Sequence, residues 1–345
     1  DRQLTEDISG RFTLGADLVL YKSYELEGHS HGDGEDDHSH VTAESWRNLG
    51  YYGVAELGWR DRVYLTMAGR MEQRLRNVTT DKSPFQPRVG LSYVMGDDAG
   101  TTVKLRTQWG TSARAPNGTL FTDAPGPRWS TIASDFLKPE EKVGWDAGID
   151  VSWARYGSLS LTYFNEEGRD LVMPIVIQEG NWVFGRPDLS TTQISQHRNY
   201  GLVTNKGWEF EARMFLGPVS LRANATVADN KIRKLSNYYA NRPTDAVRVG
   251  AQRVEVPKHA GGISATVDAF RGNISLDTSW IGPFVPRASD FETDTFWYVG
   301  LRTEQAVNDR LTVFARIDNL LNKNEAYQWS YIAGRTTVLG LRYVF

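Results

Sequence analysis

The sequence predicts an all-β protein, a transmembrane antiparallel β-barrel of about 14 strands. Three observations predict it. Apolar and polar residues alternate with period two. Several alternating runs reach about ten residues, the length that crosses a bilayer at a tilt. Short turns alternate along the chain with long connections, the rhythm of outer-membrane barrels.

The elements follow in order. The first two strands begin near residues 8 and 48, and Arg60-Asp61-Arg62 turns the second into a third that begins near 63. A fourth and a fifth start near 86 and 101, across Gly96-Asp97-Asp98-Ala99-Gly100. The sixth starts near 141 and shows the pattern most clearly. Val143, Trp145, Ala147, Ile149, Val151 and Trp153 fall on one face; Gly144, Asp146, Gly148, Asp150 and Ser152 fall on the other. Ala154-Arg155-Tyr156-Gly157 leads into a seventh near 158, and an eighth begins near 205. Leu216-Gly217-Pro218 turns it into the ninth, where Val219, Leu221, Ala223, Ala225 and Val227 oppose Ser220, Arg222, Asn224 and Thr226. The tenth and eleventh, near 258 and 273, are joined by Arg271-Gly272. The twelfth, near 296, passes through Asn308-Asp309-Arg310 into the thirteenth, near 311, where Leu311, Val313 and Ile317 oppose Thr312, Phe314 and Arg316. The fourteenth, near 335, puts Thr337, Leu339, Leu341, Tyr343 and Phe345 on one side.

A soluble sandwich would show the same alternation, with its polar face toward water. Soluble strands, however, usually run to about 5–6 residues. The chain also ends on an aromatic residue inside an alternating strand, as outer-membrane barrels commonly do. The 11 Trp and 15 Tyr suit boundary belts. No stretch of 18 apolar residues exists, so no transmembrane helix is expected. Hydrocarbon offers the backbone no partner, so a spanning sheet must close. The charged series Glu56, Lys104, Arg106, Asp146, Asp150, Glu209, Glu211, Arg213, Arg222, Asp277, Arg302, Glu304, Arg316 and Arg342 is therefore expected to face a wet or plugged lumen. A net charge of -3 gives no basic face for nucleic acid. The lack of Cys removes disulfide and thiolate-metal chemistry. Asp1-Arg2-Gln3-Leu4 is no signal peptide, so either one has been removed or the chain begins partway through a larger protein.

Several segments resemble TonB-dependent outer-membrane transporters, above all the SusC/RagA-like branch. They are Gly50 to Thr66, Trp109 to Pro116, Leu137-Lys138-Pro139-Glu140, Asn205-Lys206-Gly207-Trp208-Glu209, Asp318-Asn319-Leu320-Leu321-Asn322, and Gly334 through Phe345. The resemblance covers about residues 48 to 345 and implies a 22-stranded barrel with an N-terminal plug and a TonB-contacting segment. This chain holds neither the plug nor the TonB box, so residues 1–345 are expected to be the C-terminal portion of such a barrel, a fragment or one piece of a split protein. The implied partners are outer-membrane lipid, the TonB complex through the missing plug, a SusD-like surface lipoprotein, and the other part of the barrel. The implied activity is energised uptake of a glycan, peptide, siderophore or metal complex at the cell outer membrane. A passive 14-stranded porin and a purely structural or adhesive barrel are the alternatives.

Long loops are expected to carry ligand contacts. The segment Gly28 to His40 holds His29, His31, His38 and His40 among carboxylates, a donor set that suits Zn²⁺ or Cu²⁺. Its bland alternative is a solvated, low-complexity loop; no cofactor is required. Trp129, Trp182, Tyr238 and Trp329 are candidates for stacking on a flat ligand, against a bland role in the belt or in loop packing. Arg114 is a candidate for an anionic ligand, against structural pairing with a carboxylate. No nucleophile–base pair stands out. Ser195 beside His197 is sequence proximity alone, and no enzyme is expected.

Overall fold

The computed structural model describes residues 2–3, 5–28, 39–75, 80–96, 100–116, 129–134, 137–182, 191–236, 248–286, 292–323, 326–327, 330–331 and 334–345. Among them are fourteen strands of eight residues or more. They are β1 (Ile8–Gly28), β2 (Ser39–Trp59), β3 (Val63–Leu75), β4 (Gln86–Gly96), β5 (Thr101–Arg114), β6 (Glu140–Trp153) and β7 (Gly157–Trp182). Then come β8 (Thr191–Leu216), β9 (Val219–Lys234), β10 (His259–Ala269), β11 (Gly272–Ile281), β12 (Phe296–Ala306), β13 (Leu311–Asp318) and β14 (Thr336–Tyr343). Twelve begin within two residues of the positions that alternation predicts. The exceptions are β2, which starts at Ser39 rather than near 48, and β8, which starts at Thr191 rather than near 205. Backbone pairing continues there past the point where one face stops being apolar. His40 therefore lies in a strand, as does Trp182, and Trp129 opens a short strand, Trp129–Ile132. The sequence pattern predicts loops at all three, and the backbone pairs there instead.

The chain forms two compact units. The first comprises residues 1–90, 109–143 and 169–200. In it β1, β2 and β3 form an antiparallel meander. Arg60 and Asp61 both take positive φ, and the Arg62 N–H donates to the Trp59 carbonyl at 3.0 Å. Two successive left-handed residues match the twist of the strands they join. The second unit comprises residues 91–108, 144–168 and 201–345. There the residues of β8 from Leu202 onward pair with β9, and each strand through β14 pairs antiparallel with the next.

The register fixes which side chains share a face. In the first unit Phe12 and Leu14 are 69% and 70% exposed; in the second, Leu339 and Leu341 are 77% and 72% exposed. Among the described residues the buried hydrophobic side chains are Val176, Ile194, Ile232 and Phe296. A soluble sandwich of this size would bury a core of its own. The apolar residues here line an uncovered face instead, so that alternative is excluded. In the second unit Trp145, Tyr163 and Trp208 form a row across that face, with ring centroids 5.4 and 5.0 Å apart. Trp280 and Trp297, directly paired across β11 and β12, make a second contact at 5.5 Å. Such rows suit the level where hydrocarbon gives way to headgroups.

Two of the motifs are turn and packing devices. Gly207 lies where an added Cβ would meet the Val227 carbonyl at 2.0 Å and the Phe164 ring at 2.9 Å. In Asp318-Asn319-Leu320-Leu321-Asn322, both Asn residues take positive φ, which Asn tolerates better than most residues. The buried Asn319 amide donates to the Lys323 carbonyl at 2.7 Å and accepts the Lys323 N–H at 3.0 Å. Asn322 accepts the Arg335 N–H at 2.9 Å, tying this turn to the approach to β14.

Candidate functional site: a charged face and a clamped loop neck

Each unit carries a polar face, and its charges are organised. In the second unit Arg106 donates to Asp150 at 3.0 Å, to Asp146 at 3.5 Å and to Thr162 at 2.6 Å. Ser160 donates to the other Asp150 oxygen at 2.6 Å, and Gln108 to Asp146 at 2.6 Å. Gly148 makes room for this network, because a Cβ there would lie 3.0 Å from the Arg106 guanidinium carbon. Arg302 pairs with Asp277 at 2.7 Å, Arg342 with Glu304 at 2.9 Å and Arg316 with Asp318 at 2.8 Å. The register places these charges opposite to the exposed Leu and Trp series, as alternation requires. In the first unit Arg70 spans Asp17, at 2.8 and 3.1 Å, and Glu72, at 2.7 Å. A fork of this kind holds two carboxylates in one plane.

The second feature lies in the first unit, where β5 ends and β6 begins. Arg114, the last residue of β5, donates to Glu140, the first of β6, at 2.7 Å. The other Glu140 oxygen accepts the Val172 N–H at 2.8 Å. Beside it Asn199 accepts the Lys138 N–H at 2.7 Å and donates to the Lys138 and Asp170 carbonyls at 2.8 Å each. Asp170 takes positive φ, an irregularity in β7 that presents its carbonyl to Asn199. The strand Trp129–Ile132 runs parallel to Gln193–Gln196 of β8. Gln196 donates to the Ala133 carbonyl at 3.0 Å, and Ser134 to the His197 carbonyl at 2.7 Å. The neck of the 115–139 connection is thus closed by an ion pair, and its return path is fastened to β8.

Arg114 is the one sequence-predicted site residue whose side chain the structure describes. It is paired with a carboxylate, as its structural alternative held, although its side chain stays exposed. Of Trp129, Trp182 and His40 the backbone alone is described. Tyr238, Trp329, His29, His31 and His38 lie outside the described residues. No group of three His, Cys, Asp or Glu side chains arranged to hold a metal occurs among the described residues. The Ser195 hydroxyl shares a hydrogen bond with Thr131 at 3.1 Å, while the His197 carbonyl is taken by Ser134. Sequence reasoning missed Asn199 and Glu140 as clamp residues. The signal available was the Leu137-Lys138-Pro139-Glu140 motif, of which the Lys138 backbone and the Glu140 carboxylate take part in this neck.

A family model described as TonB dependent receptor-like, beta-barrel, matches residues 2–320. The chain belongs to this family. It is therefore a multi-pass β-barrel chain of the cell outer membrane, with its polar face toward the lumen and its apolar face toward lipid. Solved structures share the fold at low identity. The ferric enterobactin receptor of Pseudomonas aeruginosa, in complex with enterobactin, is 16% identical with a TM-score of 0.74, over 99% of this chain and 52% of that one. A siderophore receptor of Acinetobacter baumannii is 15% identical with a TM-score of 0.70, over 98% of this chain and 54% of that one. A copper transporter is 16% identical with a TM-score of 0.68, over 97% and 54%. The chain spans about half the length of these proteins. No curated protein matches it in sequence.

Proposed function

We propose that these 345 residues are the C-terminal portion of a TonB-dependent receptor that takes up a metal-carrying ligand, a siderophore or a metal complex. The observation that carries the reading is the family match over residues 2–320, joined to a charged polar face that suits a filled lumen. In this reading the fourteen strands are part of a 22-stranded barrel. The plug and the TonB-contacting segment belong to other parts of the protein. The outer membrane holds no nucleotide or ion gradient, so energy has to arrive from TonB. The siderophore and copper proteins among the similar structures favour a metal-carrying ligand, and so does the imidazole-rich segment His29–His40. That segment would then concentrate Zn²⁺ or Cu²⁺ at the cell surface, with Trp129, Trp182, Tyr238 and Trp329 as candidate ligand contacts.

The test is uptake of radiolabelled ferric siderophore, zinc and copper by cells expressing the complete protein, with and without TonB. Loss of uptake without TonB is the expected result. Uptake of the same size without TonB would replace the reading by a passive porin. The SusC/RagA-like motifs support a second reading, a receptor for glycans or peptides with a SusD-like lipoprotein. Co-purification of a surface lipoprotein with the complete protein would favour it.

A further inference from the structure

Within the charged face of the second unit, two like charges face each other directly and neither is joined to a carboxylate. Arg213 of β8 and Arg222 of β9 are directly opposed across the sheet. Opposed residues share a face with Cβ atoms about 4.5–5.5 Å apart, and like charges there repel. Both line one cavity, of about 790 Å³, together with Lys104, Ser158, Glu209, Glu211 and Asn224. No ion pair to Arg213 or Arg222 forms among the described residues: Asp150 and Asp277 are committed elsewhere, and Glu211, diagonal to Arg222 across the sheet, lines the same cavity without pairing with either arginine. Asp150 is held by Arg106 and Ser160. On the other side Arg222 opposes Ser264, which opposes Asp277; that carboxylate is held by Ser264 and Arg302. Glu211 and Glu209 lie two and four residues before Arg213 on β8, and the side chains directly opposite them are Asn224 and Thr226.

We propose that Arg213 and Arg222 form an oxyanion-binding site on the lumenal face. Two guanidinium forks approaching from adjacent strands match the planar or tetrahedral oxygens of a carboxylate or phosphate group. The Ser158 hydroxyl and the Asn224 amide border the same cavity and supply neutral donors. An anion between the arginines turns the repulsion into two attractive contacts, and no side chain of the second unit supplies it in this arrangement. The occupant is one oxyanion, either the carboxylate of a protein segment seated in the lumen or a free phosphate-type ion. The site depends on the lumenal assignment of this face and not on which ligand is transported.

The experiment is heat-modifiable gel migration of the complete purified protein, in inorganic phosphate and in chloride at equal ionic strength. It compares the wild type with Arg213→Gln, Arg222→Gln and Arg222→Lys, and it reads unfolding rather than uptake, so its failure leaves the transport reading untouched. For a free ion, phosphate raises the wild-type midpoint saturably, and the two Gln variants need at least tenfold more phosphate for half the rise. For a seated carboxylate, the wild-type midpoint ignores phosphate, both Gln variants melt several degrees lower, and Arg222→Lys recovers most of the loss. Gln variants that melt at or above the wild type in both salts would identify a repelling pair that holds nothing and overturn the proposal. An equal phosphate response in all proteins would overturn it too. If a Gln variant fails to fold, the wild-type phosphate titration and Arg222→Lys still decide.

Discussion

Ala223→Arg should be among the most damaging single substitutions on β9, although it removes almost nothing. Ala223 lies on the apolar face, opposed by Ala212 on one side and Ile263 on the other. The apolar run from Val219 to Val227 spans eight residue steps, about 26 Å along the strand at roughly 3.3 Å per residue. A tilt of about 40° reduces this to about 20 Å of depth, so Ala223 sits about 10 Å from either boundary. An Arg side chain reaches about 7 Å and its head falls short of water, so snorkelling gives little relief. A mid-membrane Arg on the lipid face then costs about 2–4 kcal/mol. That is roughly a 30- to 700-fold loss in the folding equilibrium, at about 1.4 kcal/mol per factor of ten. Thr226→Arg is the control. It places the same charge on the polar face, directly opposite Glu209, where a cross-strand pair contributes roughly 0.2–1 kcal/mol in favour. The assay is refolding of the complete barrel into lipid vesicles across a urea series, scored by heat-modifiable migration. A loss at Thr226 equal to or larger than that at Ala223 would refute the assignment of faces.

Glu140→Ala should open the neck of the 115–139 connection, because it frees Arg114 and strands the Val172 N–H; a cost of about 1–3 kcal/mol is expected locally, read as faster proteolysis between residues 115 and 139. Asn199→Ala removes three bonds to backbone at Lys138 and Asp170, and hydrogen exchange at Lys138 should rise at least tenfold with global stability little changed. Arg106→Leu leaves Asp146 and Asp150 without their shared cation; it should lower stability in urea by about 1–3 kcal/mol and by more than Arg302→Leu, because Arg106 serves two carboxylates and Arg302 serves Asp277 alone. Replacing His29, His31, His38 and His40 together by Ala should abolish zinc-dependent quenching of nearby aromatic fluorescence on whole cells; unchanged quenching would assign the segment its bland, solvated role.

Much of the fold is legible in the sequence because a strand in a membrane has two faces of opposite chemistry, written residue by residue. Val143 to Trp153 and Val219 to Val227 show it without exception, and the turn at Arg60-Asp61 shows itself by interrupting it. The extensions of β2 back to Ser39 and of β8 back to Thr191 escaped, because beyond the bilayer neither face needs to be apolar while the backbone still pairs. The clamp escaped for another reason. Asn199 is an ordinary polar residue in its own stretch of sequence, and its bonds run to residues 29 and 61 positions away.

The sequence by itself determined the fold class, the two faces and the places where the chain turns, since each depends on neighbours two residues apart. The tertiary structure alone decided which charges neutralise one another. It set Arg106 against Asp146 and Asp150, 40 and 44 positions distant, and Arg213 against another arginine. Those outcomes follow from the register between strands. A shift of one residue in register exchanges every facing pair while leaving the composition of each strand untouched.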